Sequence, residues 1–102
     1  VSVSTELVLR HRARDAAYAA TKSAVDVFSA CLAAEVQEYG IEVNTWTPGY
    51  VRTDMGGSKA RDSVETVEES CMWMLAQQPM ALTGRILRKP DFGQTWGPGI
   101  PL

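Results

Sequence analysis

Apolar and polar positions change their repeat along this chain, and each change marks an element. Val1-Ser2-Val3-Ser4 alternates at the two-residue step, so residues 1–5 read as a short strand. Residues 6–15 are polar and basic and read as a loop. From Ala16 to Tyr39, the apolar positions Val25, Phe28, Leu32, Val36 and Tyr39 recur at three- and four-residue steps, which predicts one long helix. Ala16, Ala17, Ala19, Ala20 and Ala24 favour that helix and let another element approach it closely. Gly40 stands where the left-handed residue that ends a helix is expected. Ile41 to Trp46 is β-branched and aromatic and reads as a strand, stopped by Pro48-Gly49.

The second half repeats the alternation. Residues 50–63 read as an irregular loop. Thr66 to Glu69 has the capping-box form, which predicts a helix over Val67–Gln78 with Pro79 just beyond. Arg85 to Arg88 reads as a short strand, and the Gly/Pro-rich residues from Lys89 onward read as an extended tail. Strand, helix, strand, helix, strand is the order of a parallel α/β sheet. Such sheets bind ligands beyond the C-terminal ends of their strands. Thr5, the start of the long helix and residues 47–53 all fall at that edge.

Composition narrows the function. At 102 residues the chain is one domain, 1–102, and its opening inside a strand reads as a fragment or truncated product. A net charge of −2 with interspersed signs excludes a general nucleic-acid binder. No apolar run is long enough for a bilayer. Cys31 and Cys71 lack metal-ligand spacing and read as reduced, buried thiols of a cytoplasmic protein. Arg10-His11-Arg12-Ala13-Arg14 reads as a solvated loop, with a phosphate contact as the other reading. Met and Trp in Cys71-Met72-Trp73-Met74-Leu75 read as core rather than pocket wall, and Trp46 as sheet packing.

Candidate chemistry centres on Tyr18 and Lys22, one turn apart on one helix face. A phenol in water keeps its proton to about pH 10, and an adjacent ammonium favours the phenolate. Such a pair can exchange a proton with a carbonyl or alcohol oxygen. Tyr18-Ala19-Ala20-Thr21-Lys22-Ser23-Ala24-Val25, then Gly40-Ile41-Glu42-Val43-Asn44, then Pro48-Gly49-Tyr50-Val51-Arg52-Thr53-Asp54-Met55, occur in the order and spacing of one family. In these segments the chain resembles the C-terminal portion of a short-chain dehydrogenase/reductase of the classical, carbonyl-reductase-like type.

That resemblance implies a three-layer parallel Rossmann-like sheet, present as a partial β-α-β-α-β unit. It implies an NAD(P)-dependent oxidoreductase that interconverts a small-molecule carbonyl and alcohol, with NAD or NADP as cofactor. Tyr18 would be the acid/base. Lys22 would hold the nicotinamide ribose hydroxyls and help the phenol ionise. Pro48, Gly49, Val51 and Thr53 would border the nicotinamide. The family places a serine thirteen residues before its tyrosine; Thr5 holds that position here, and Ser4 would need one extra loop residue. The long helix, 16–39, would pair with its copy in a homo-oligomer. The family's glycine-rich phosphate turn has no counterpart in these residues. The alternative reading is therefore a non-catalytic remnant or a dimerising module.

Overall fold

The computed structural model describes residues 1–50 and 55–102. The main elements are β1 (Ser2–Val3), α1 (Ala16–Val36), β2 (Thr45–Thr47), α2 (Val64–Leu75) and β3 (Ile86–Arg88). Short 3-10 turns cover Glu6–Val8, Gln37–Tyr39 and Lys89–Asp91. The strands form one parallel sheet in the order β1-β2-β3. The expected partial α/β unit is present, and its strands are shorter than the sequence suggested.

Register assigns the faces. Ser2 pairs with Thr45, and Thr45 with Ile86; Val3 pairs with Trp46, and Trp46 with Leu87. Paired residues of parallel strands share a face, and successive residues alternate. Ser29 of α1 donates to the Ser2 hydroxyl at 2.9 Å, which puts α1 on the first face. The Trp46 indole donates to Ser70 of α2 at 3.0 Å, which puts α2 on the second. The sheet is thus the middle of three layers.

The α1 boundary follows the sequence closely. The helix tightens into the 3-10 turn Gln37–Tyr39 and stops at Gly40, which takes φ 69°. The buried face agrees with the expectation in part: Val25, Leu32 and Val36 are half-buried. Ser29 and Ala33 are the buried residues of α1, whereas Phe28 is 65% exposed and Tyr39 71% exposed. Small side chains win here because they permit close approach: the Ala33 Cβ lies 3.7 Å from where a Cβ on Gly84 would stand.

The apolar core lies on the α2 face. Met74, Leu82, Leu87 and Trp96 are buried together, with Trp46, Trp73 and Phe92 packed against them. The expected extended tail is corrected by Trp96. Its ring lies 4.9 Å from Phe92 and 5.6 Å from Trp73, and its indole donates to the Arg88 carbonyl at 2.8 Å. The glycines supply turns that fold this segment back onto the core. The expected capping box is corrected as well, since α2 begins at Val64 and Thr66 lies inside it.

Candidate functional site

Because all three strands are parallel, their C-terminal ends share one edge. A cavity of about 330 Å³ opens there. Thr5, Gly49 and Pro90 line it, each two residues beyond the end of its strand. Arg10, Arg12 and Arg61 contribute further walls.

Thr5 precedes the turn Glu6–Val8, and its hydroxyl accepts from the Leu7 amide at 3.4 Å. A hydroxyl that accepts one bond still has its proton to donate. Ser4 is different: it is 4% exposed, and its buried hydroxyl has no partner among the described residues. Of the two candidates, only Thr5 reaches the cavity. Gly49 takes φ 87°, and a Cβ there would lie 3.2 Å from the Asp62 carboxylate. The conformation and the close approach both favour glycine.

Lys22 and Tyr18 leave α1 one turn apart. The Lys22 ammonium donates to the Val3 carbonyl at 3.0 Å, at the end of β1. An ammonium has three donors, so two remain unspent on this bond. Tyr18 is 41% exposed, and its hydroxyl has no protein partner among the described residues. Neither residue lines the cavity that holds Thr5 and Gly49. The structure brings Lys22 to β1 and Thr5 to Gly49, and leaves the phenol at the surface. Pro48 is half-buried, whereas Val51 and Thr53 lie outside the described residues.

Ion pairs brace this edge. Arg88 at the end of β3 reaches across to Glu6 behind β1, and also to Asp91 at 3.3 Å. The hydrogen bond with Glu6 raises the Arg88 pKa; burial opposes it, and the charges of Glu6 and Asp91 add to the rise. Asp62 accepts from Lys89 at 3.0 Å and from Arg61 at 3.1 Å. Burial pushes the Asp62 carboxyl up, but hydrogen bonds and charge from Arg61 and Lys89 outweigh it and leave the pKa below the ordinary value. Sequence reading missed both clusters. Glu6 and Arg88 are 82 residues apart, so no local spacing could signal them. Among the described residues no group of His, Cys, Asp and Glu could hold a metal ion.

A three-layer parallel sheet with a cavity past its strand ends is an α/β unit of the Rossmann-like type. Solved structures of that type superpose on it. The chain matches the carbonyl reductase Sniffer of D. melanogaster with a TM-score of 0.73 at 24% identity, over 98% of this chain and 38% of that one. It matches the NADPH-bound carbonyl reductase from chicken fatty liver with a TM-score of 0.71 at 25% identity, over 86% and 38%. The family model for short chain dehydrogenase matches residues 1–64. The chain belongs to the short-chain dehydrogenase family. Oxidoreductase UcpA of Escherichia coli K12 is 43% identical over 63 residues, which is 62% of this chain and 24% of that protein. The chain thus spans about a quarter of that relative's length. No helix among the described residues is long and apolar enough to cross a membrane.

Proposed function

We propose that the protein is an NAD(P)-dependent oxidoreductase that interconverts a carbonyl and an alcohol, with residues 1–102 as the catalytic, C-terminal part of its cofactor-binding domain. The observation that carries this reading is the Lys22 ammonium fixed to the end of β1, one turn from Tyr18. The NADPH in the chicken carbonyl reductase supports a nicotinamide cofactor here. The chain's own groups suit such a cofactor: Lys22 has two donors left for ribose hydroxyls, and Gly49 lets a flat ring approach its backbone.

A nicotinamide supplies or accepts the hydride. Tyr18 gives its hydroxyl proton to the carbonyl oxygen in reduction, and takes the proton from the alcohol in oxidation. Thr5 donates a hydrogen bond to the substrate oxygen and orients it; Ser4 stays buried behind it. Lys22 positions the ribose. Pro48 and Gly49 border the nicotinamide, a role the family resemblance extends to Val51 and Thr53. Exposed Val27 and Phe28 on α1 suit pairing with a second copy through the 16–39 helix. The two unpaired cysteines, Cys31 exposed and Cys71 half-buried rather than both buried as expected, suit a reducing compartment, the cytoplasm.

The test is Tyr18→Phe in the natural gene product. Turnover should fall by at least about 100-fold, the lower range for a lost acid/base group, with an unchanged circular dichroism spectrum. Turnover equal to the parent would remove Tyr18 from the reaction.

A further inference from the structure

We infer that the cavity at the C-terminal edge of the sheet holds the oxoanion of a substrate that carries a carboxylate or phosphate, through Arg10, Arg12 and Arg61. The inference rests on the proposed reading that Thr5 faces the substrate, and it names that substrate's class. In the sequence Arg10 and Arg12 sit in a basic run with the look of a solvated loop. The fold adds Arg61 from the far side of β2, so three guanidinium groups converge on one cavity of about 330 Å³. That volume suits a small molecule.

The charges around the cavity are unevenly spent. Arg10 has no ion pair among the described residues. Arg12 engages Asp15 through Nε alone. Arg61 engages Asp62 through Nε and one terminal nitrogen, which leaves the other terminal nitrogen free of that pair. Among the described residues Glu6 is the one carboxylate in the lining, and Arg88 already holds it. Asp62 is held by both Arg61 and Lys89. Three arginines with N–H groups to spare therefore line a cavity whose nearby carboxylates, among the described residues, are each paired. Planar guanidinium forks match carboxylate and phosphate oxygens. Thr5 lines the same cavity, so one small molecule can meet the arginines and that hydroxyl together.

The experiment is a titration of the 102-residue protein, followed by amide NMR, with pentanoate, pentyl phosphate and pentanamide. Shifts at Thr5 and Gly49 should saturate with an anion at least about 10-fold more tightly than with the neutral amide, a difference of about 1.4 kcal/mol. Arg10→Gln should abolish most of that preference, and Arg10 has no described ion pair whose loss would disturb the fold. Added salt should weaken the anion and spare the amide. A stronger response to pentanoate than to pentyl phosphate assigns a carboxylate; the reverse assigns a phosphate. Equal binding of anion and amide, no saturable shift with any probe, or an unaltered preference in Arg10→Gln would overturn the inference. The readout needs no turnover. Its failure therefore leaves the Tyr18 proposal standing, and loss of the Tyr18 proposal leaves this binding result readable.

Discussion

Gly97 takes φ 127°, and a Cβ there would lie 3.0 Å from the Phe92 ring and 3.1 Å from the Gly93 nitrogen. Neither neighbour can give way, because the ring packs on Trp96 and the Gly93 amide donates to the Trp96 carbonyl at 2.7 Å. Gly97→Ala should cost about 1–3 kcal/mol, measured by urea unfolding. Asp62 has a depressed pKa, so its folded form binds protons less readily than the unfolded chain. Its stabilisation is therefore complete above the ordinary carboxylate range and is lost as pH falls through the depressed value. Asp62→Asn should lower stability at neutral pH by about 1–3 kcal/mol. It should also flatten the fall in stability below about pH 4. Unfolding curves of parent and variant across that range check both parts. At this scale the sequence showed Tyr18 and Lys22, because a four-residue step on a helix is a local fact. Glu6 and the Lys89 half of the Asp62 cluster stayed hidden, since those partners come from other elements.

For the elements, α1 separates what periodicity can and cannot read. Its extent and its stop at Gly40 were legible, because helix length and a left-handed C-terminal residue follow from local preferences. Its buried face was legible in part. Hydrophobic spacing placed Val25, Leu32 and Val36 correctly, whereas Phe28 and Tyr39 are exposed, and close approach to the sheet and to Gly84 selects Ser29 and Ala33 for full burial. Ala33→Leu should therefore destabilise by about 1–3 kcal/mol through overpacking. Phe28→Ala should change the monomer's stability by no more than about 0.5 kcal/mol. Thermal unfolding of the two variants at low concentration distinguishes the faces. The residues after Lys89 failed for the opposite reason. Their glycines and prolines do mark turns, but those turns deliver Trp96 into the core, and burial of an aromatic ring outweighs the local preference for open chain.

Across the whole molecule, the parallel order of strands was legible because alternating strands and helices leave few arrangements. The cavity was legible only as an edge. Its arginines come from the loop behind β1 and the approach to α2, and only folding joins them. The family membership covers the segment with Tyr18, Lys22 and Gly49, so the chemistry proposed there is the central claim. Its most direct test is a fluorescence titration of the natural gene product with NADH and NADPH, repeated with Lys22→Met. The account predicts saturable binding of at least one cofactor, weakened about 10-fold or more when the lysine's charged hydrogen bonds are lost. No saturable binding of either cofactor, or identical affinity in Lys22→Met, would contradict it.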